Sequence, residues 1–406
     1  MTTALPLSGD QLLSRFQALD SFLREHQALW RPRPFTQLEL PWETTYPALA
    51  GWLRQRSLSE AEAAHNHPEQ LDAPAPLPQL ARMAAQLSAI GELSTVALPS
   101  ASQRLNVDVP GRKWQQIEAF ASHLGFIHSP RHWLDWCAGK GHLGRRLLQP
   151  HSQQLTCLEY DPALVDAGIA LSQHHHLPAE HRLQDVLADD APLQLNAEHT
   201  AVALHACGDL HVRLMQLASL RGCRQLAIAP CCYNRIQAPH YQPLSTAAKA
   251  SGLQLSIDDL GLPLSETVTA GTRVRRQRDQ SMARRLGFDL WQRQLRGVDE
   301  YLPTPSLAVS WLHKPYADYC LDLAALKSLS VEAEPDWLAL EAAGWQRLAQ
   351  VRNLELLRNV FRRPLELWLV LDRALFLQEQ SYEVQLGVFC EQPLTPRNLL
   401  LLAERR

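Results

Sequence analysis

Gly139 and Gly141, within the stretch WLDWCAGKGHLG at residues 133–144, carry the clearest chemical signal in the chain. Glycines at this spacing let the backbone turn tightly beside a ligand. The apolar run up to Asp135, followed by Leu143, Leu147 and Leu148 at helical spacing, predicts a strand, a turn and a helix. Such a turn aims the unpaired N–H groups of a helix start at an anion. Acids recur around it: Asp135 before the turn, Glu159 in LEYDP and Asp185 in LQDV. Four cysteines, Cys137, Cys207, Cys231 and Cys232, fall with Asp209, Tyr233 and Asn234 in three short segments, CAGKG, ACGDL and PCCYN.

Two ligands compete for the turn. Residues 139–144 match the dinucleotide pattern G-x-G-x-x-G, and Glu159 stands where a ribose-binding acid is expected, so a nicotinamide or flavin enzyme is a real rival. The three acids favour S-adenosylmethionine (SAM). Asp135 orients the turn and the amino-acid end of that molecule, Glu159 takes both ribose hydroxyls, and Asp185 accepts the adenine amino group. A dinucleotide has no comparable use for Asp135. The cofactor set expected on this reading is Asp135, Cys137, Ala138, Gly139, Lys140, Gly141, Leu143, Glu159, Tyr160, Asp185 and His205.

Methyl transfer from a sulfonium is an in-line displacement, so the protein chiefly holds the acceptor atom about 3 to 3.5 Å from the methyl group in a dry pocket. The acceptor side belongs to the segments HACGDL and PCCYN, and the candidate catalytic set is Asp209, Cys231, Cys232, Tyr233 and Asn234. Asp209 is a base, an acceptor for a substrate N–H, or a helix cap. Tyr233 and Asn234 suit stacking on and hydrogen bonding to a base, as in enzymes that read an extruded nucleotide, or ordinary loop packing. For the cysteines three readings stand. They are a thiolate nucleophile for pyrimidine C5 methylation, ligands of zinc or an iron–sulfur cluster, or plain buried small residues. Burial leads, since adjacent Cys231 and Cys232 do not give the familiar C-x-x-C geometry, and no metal site is assigned.

The elements that must position these groups follow from periodicity. Leu12, Phe16, Leu19 and Leu23 share one helical face, and more helical patches lead to the stiff connector APAPLP at 73–78. From residue 111 an amphipathic helix feeds the opening strand. Strands near 155–161, 181–186, 200–209 and 224–234 then alternate with helices, which argues a parallel sheet with ligands at the carboxyl ends of its strands. Residues 241–360 break the rhythm, and a buried helix and two strands close the chain. The organisation expected is a helical N-terminal domain at 1–100, a cofactor-binding core at 111–240, an accessory insertion at 241–360, and at 361–406 a helix and strands completing the core sheet.

Bulk properties narrow the partners. Net charge is −3 with 46% hydrophobic and 20% charged residues, an ordinary globular composition that announces neither nucleic acid nor membrane. Any polyanion must meet a local patch. Arg273, Arg275, Arg276, Arg278, Arg284 and Arg285 offer one, opposed only by Asp279; the first four are the candidate substrate-binding residues, and a solvated helix face is the plain alternative. Eight cysteines in 406 residues are too few for a disulfide framework, and the N-terminus lacks a signal-peptide pattern. The expected compartment is the cytoplasm, with no membrane partner. The late apolar stretch at 365–377 is too short to span a bilayer and is interrupted by Glu366, Asp372 and Arg373.

The motifs DWCAGKGHLG (135–144), LHACGDL (204–210), APCCYN (229–234), LVLDRALFLQE (369–379) and TPRN (395–398) resemble those of class I SAM-dependent methyltransferases. The similar group comprises methyltransferase-like proteins and the eukaryotic tRNA 2'-O-ribose methyltransferase, and ETVTAG (266–271) resembles relatives bearing a glutathione-transferase-like C-terminal domain. The resemblance implies an α/β fold with a Rossmann-like seven-stranded core, SAM as cofactor, and structured RNA, rRNA or tRNA, as partner, methylated on ribose 2'-O or on a base. Cys137 departs from the family by standing where most members have their first glycine. Alternatives are a protein or small-molecule methyltransferase, an NAD-type Rossmann enzyme and a non-catalytic SAM-binding module.

Overall fold

A computed structural model describes residues 4–100, 105–107, 109–148, 153–265 and 272–405. The ETVTAG segment lies outside the described residues. The chain divides into two units, one formed by Met1–Arg24, Leu87–Val268 and Arg363–Arg406, the other by Glu25–Gln86 and Thr269–Arg362.

The first unit is built on an eight-stranded sheet. Its strands are β1 (Leu7–Ser8), β2 (His132–Trp136), β3 (Gln154–Glu159), β4 (Ala179–Leu183), β5 (His199–Cys207), β6 (Gln225–Cys231), β7 (Tyr382–Val388) and β8 (Leu399–Arg405), in the spatial order β1-β7-β8-β6-β5-β2-β3-β4. From β4 across to β6 every pairing is parallel; β8 pairs antiparallel with both β6 and β7, and β1 antiparallel with β7. Apart from the two-residue edge strand β1, this is the expected seven-stranded mixed α/β sheet. The strand order reverses at β2, whose neighbours β3 and β5 lie on opposite sides, and such a switch point is where open α/β sheets hold ligands.

β6 is buried along its whole length and β2 from its second residue on, as a parallel sheet covered on both faces demands. One core cluster joins Ile117 and Phe120 of the helix Gly111–Ala121 to Leu143, Leu147, Leu155, Val202, Ala227, Leu400 and Phe389. The buried helix Arg362–Glu379 carries the charges that interrupt its apolar run, and each has a partner. Asp372 accepts from the Tyr241 hydroxyl at 2.5 Å and from the Leu244 and Ser245 N–H groups at 2.9 and 2.7 Å, while Arg373 donates to His211 Nε2 at 2.7 Å. Buried charge is tolerated where it is so fully bonded. Among the described residues no helix is long and apolar enough to cross a membrane.

The second unit is helical. The helix Trp337–Asn359 packs along Thr272–Arg296 and against Pro47–Gln55 and Leu58–Ala64. Buried polar groups tie the distant segments together: Asn353 Nδ2 donates to the Arg56 and Ser57 carbonyls at 3.0 Å, and Arg347 to the Pro34 carbonyl at 2.7 Å. Residues 25–86 of the N-terminal segment and 269–360 of the insertion, separate lobes in the sequence reading, therefore share one unit, while residues 1–24, 87–100 and 241–268 belong to the other. These ties join positions some 300 residues apart, which no local periodicity reveals.

Candidate functional site at the carboxyl edge of the sheet

The glycine turn sits where β2 ends. Cys137, Gly139 and Gly141 all have left-handed backbones, with φ of 59°, 57° and 73°, and the helix His142–Leu147 follows. The position at which relatives have glycine thus keeps the glycine conformation with a cysteine in it, at a cost of about 1 to 2 kcal/mol. At Gly139 a Cβ would meet nothing within 4 Å, so the turn borders open space there.

Two carboxylates brace the turn. Asp135 is buried and accepts the Gly144 N–H at 2.9 Å; burial raises its pKa to about 7. Glu159, at the end of β3, accepts the Gly139 N–H at 2.7 Å through one oxygen and the Tyr160 and Asp161 N–H groups at 2.9 and 3.0 Å through the other. Asp185, past the end of β4, is exposed and accepts from the Leu187 N–H at 2.9 Å. Asp135, Cys137, Ala138, Gly139, Lys140, Gly141, Glu159, Tyr160 and Asp185 all belong to the ends of β2, β3 and β4 or the loops that follow. Of these Lys140, Tyr160 and Asp185 are exposed. Leu143 differs: its side chain is part of the core cluster, so it supports the turn and does not line a ligand space. His205 has φ 72° near the end of β5, and its Nε2 lies 2.9 Å from Gln116 Oε1.

Arg145 gave no signal in sequence, since a basic pair in the last turn of a helix reads as surface. It is buried, donates to the Lys140 carbonyl at 2.6 Å and to Ser172 Oγ at 3.3 Å, and supports the turn from below.

The acceptor side is formed by the ends of β5 and β6. Asp209 opens the helix Asp209–Arg221; its N–H donates to the Arg235 carbonyl at 3.0 Å and its carboxylate accepts the Gln237 N–H at 2.8 Å. It therefore clamps the loop after β6. Gly208 makes this possible, because with φ 56° a Cβ there would lie 1.9 Å from the Arg235 carbonyl oxygen. Tyr233 is fully buried, its hydroxyl 3.3 Å from Glu366 and its ring facing the Arg373 guanidinium. A ring so enclosed cannot stack on a base, which corrects the stacking role read from sequence; the helix Arg362–Glu379 that covers it is remote in sequence. Asn234 is half-buried.

Cys207 and Cys231 are paired across β5 and β6 with their sulfurs 3.3 Å apart, and Cys232 Sγ joins them, all three within 4.8 Å of one another. Cys137 is not part of that group; burial pushes its thiol up to about 12. The Cys232 thiol is held well below its ordinary value by hydrogen bonds from Cys207 and Cys231, aided by Arg397 and Arg235.

Arg273, Arg275 and Arg276 are exposed on the helix Thr272–Arg296 of the second unit, and Arg278 is half-exposed. Arg284 and Arg285 instead serve the fold. Arg284 donates to the Trp311 and Lys314 carbonyls at 3.3 and 2.9 Å, and Arg285 to the Pro305 carbonyl at 2.9 Å.

In the first unit an open cleft of about 660 Å³ lined by His128, Arg131, Gln153, Glu198 and Arg224 lies at the amino ends of the strands, the edge away from the glycine turn and the three cysteines. A smaller cavity of about 210 Å³, lined by Asp209, Val212, Tyr241, Leu244 and Arg373 among others, adjoins the Asp209 helix.

Residues 112–239 match a family model described as a methyltransferase domain. No curated protein matches the chain in sequence. Among solved structures, a geranyl diphosphate methyltransferase in complex with GPP and sinefungin is similar at 15% identity and a TM-score of 0.25, over 37% of this chain and 64% of that one. The 16S rRNA methylase RmtB is similar at 16% identity and a TM-score of 0.20, over 53% and 83% of the two chains. Coclaurine N-methyltransferase bound to N-methylheliamine and SAH is similar at 12% identity and a TM-score of 0.25, over 85% and 90%. Residues 112–239, which hold the glycine turn, its two bracing carboxylates and the strands β2 to β6, are a methyltransferase domain.

Proposed function

We propose that this chain methylates structured RNA, rRNA or tRNA, with SAM as donor, in the cytoplasm. SAM supplies a methyl group on a positively charged sulfonium. The chain's residues fit it: the space at Gly139 that a Cβ would fill, and three acids, Asp135, Glu159 and Asp185, spaced along the ends of three adjacent strands. Asp135 takes the ammonium end, Glu159 the ribose hydroxyls and Asp185 the adenine amino group. Gly208 and Asp209 hold the loop after β6 in the place from which Asn234 orients the acceptor.

The observation that carries RNA as substrate is the exposed set Arg273, Arg275 and Arg276 on a single helix turn. Asp279, the acid nearest in sequence, is turned inward to Arg352 at 2.7 Å, so it does not neutralise them. Clustered guanidiniums of this kind bind phosphates by releasing counterions. Eight free cysteines support a reducing compartment.

The test compares nucleoside mass spectra of total RNA from cells with and without the gene. A methylated nucleoside lost on deletion and restored by the wild-type gene, but not by Asp135→Ala, is the expected result. An unchanged spectrum overturns RNA as the substrate and directs attention to proteins or small molecules.

A further inference from the structure

Along a strand successive side chains leave on opposite faces, so Cys231 and Cys232 ought to point apart. They do not. β6 ends at Cys231, Cys232 adopts φ 46°, and its sulfur returns to within 4.8 Å of those of Cys231 and Cys207. On the neighbouring strand the pairing register shifts between Leu204 and Cys207, with His205 at φ 72°, and the shift leaves Cys207 directly beside Cys231. Two non-glycine residues therefore hold left-handed backbones, each at a cost of about 1 to 2 kcal/mol, in the two segments that bring three sulfurs together.

We propose that Cys207, Cys231 and Cys232 bind one zinc ion. In tetrahedral zinc sites the Zn–S bonds of about 2.3 Å put thiolate sulfurs about 3.8 Å apart. The observed pair at 3.3 Å and the outer limit of 4.8 Å for the group bracket that spacing, so small side-chain rotations close the site. An all-sulfur donor set selects zinc over magnesium or calcium, which require oxygen. Three thiolates with Zn²⁺ carry one net negative charge. With Cys137 outside the group, the fourth coordination position falls to water or to a heteroatom of a bound molecule. Sequence spacing argued against a metal here because adjacent cysteines do not give the familiar C-x-x-C geometry; the left-handed residue at 232 brings the sulfurs together without it. The site does not depend on RNA being the acceptor, and its readout uses no substrate.

The full chain, purified reduced and without chelator, is analysed for metal after desalting, and a second sample is loaded with Co²⁺. Retention of one zinc per chain, with a thiolate-to-cobalt charge-transfer band and the visible bands of tetrahedral cobalt, is expected. Cys232→Ser and Cys207→Ser should each weaken zinc roughly tenfold or more in competition with a chromophoric chelator, and Cys390→Ser should leave it unchanged. Binding of S-adenosylhomocysteine by calorimetry reports whether each variant is folded; the cobalt spectrum of the wild type stands even if a variant is not. Failure of the reduced wild type to retain zinc and to give the cobalt bands overturns the site, as does a Cys207–Cys231 disulfide in the protein as isolated.

Discussion

Asp135 places a titratable charge inside the core of a cofactor site, and Asp135→Asn measures its cost. Burial raises the carboxyl from 3.8 to about 7, against weaker help from the Gly144 N–H, Arg145 and Lys113. Below about pH 4 the group is protonated folded and unfolded alike. Between there and pH 7 the folded chain keeps a proton that the unfolded chain has lost, so folding weakens as pH rises; above pH 7 the loss is complete. A shift of this size corresponds to at most about 4 kcal/mol. Asparagine keeps an acceptor for Gly144 but introduces a buried NH₂ group, which costs about 1 to 3 kcal/mol if unpaired. That penalty does not titrate. The stability of the variant minus that of the wild type should therefore climb by about 3 kcal/mol between pH 5 and pH 8, whatever its absolute value. Urea unfolding at four pH values reads it, and in thermal melts about 2 to 4 °C accompanies each kcal/mol. The cofactor responds in the opposite sense, because its ammonium needs the ionised carboxylate. Affinity for S-adenosylhomocysteine should fall about tenfold per pH unit below 7 in the wild type, and the variant should bind weakly at every pH. A stability difference that stays flat from pH 5 to pH 8 would refute the reasoning.

Cys137→Gly should stabilise the chain by up to about 1 kcal/mol in urea, the strain at φ 59° being offset in part by the greater freedom of glycine when unfolded; a loss above that size would mean the thiol makes a contact worth more than the strain. Gly208→Ala drives a Cβ into the Arg235 carbonyl, so hydrogen exchange in residues 232–237 should quicken and methyl transfer fall at least about tenfold, while affinity for S-adenosylhomocysteine holds. Replacing Arg273, Arg275 and Arg276 together by alanine should lower the salt dependence of RNA binding by about two to three units of log K per log salt without changing the melting temperature. An unaltered slope, measured by filter binding across salt, removes these residues from the RNA face.

The strands from β2 to β6 and the glycine turn were legible because a covered parallel sheet needs apolar runs at regular intervals and a turn needs glycine. Asp135, Glu159 and Asp185 were legible as acids at strand ends. What escaped is set by long-range packing or by backbone that breaks its own pattern. Arg145 reads as a surface cation until Ser172 and the Lys140 carbonyl surround it. Tyr233 reads as a loop aromatic until the helix Arg362–Glu379 covers it. Cys231 and Cys232 lack the C-x-x-C spacing, and the positive φ of Cys232 is what brings their sulfurs together. Six arginines read as one strip, yet Arg284 and Arg285 reach carbonyls of their own unit.

The pairing of β8 with β6 bears on how the molecule is made. Residues 112–239, the stretch alike to other methyltransferases, end with β6 at an open edge whose neighbour is supplied only by residues 399–405. That neighbour is in turn paired with β7, and Leu7 of β1 pairs with Leu386, about 380 residues away. The stretch recognisable as the enzyme is therefore not a folding unit. On the ribosome it would be complete well before its partner strand and wait, with an unpaired apolar edge, until nearly the whole chain was synthesised. Excised on its own it should aggregate through that edge, and during synthesis the edge stays exposed from the completion of β6 until β8 is made.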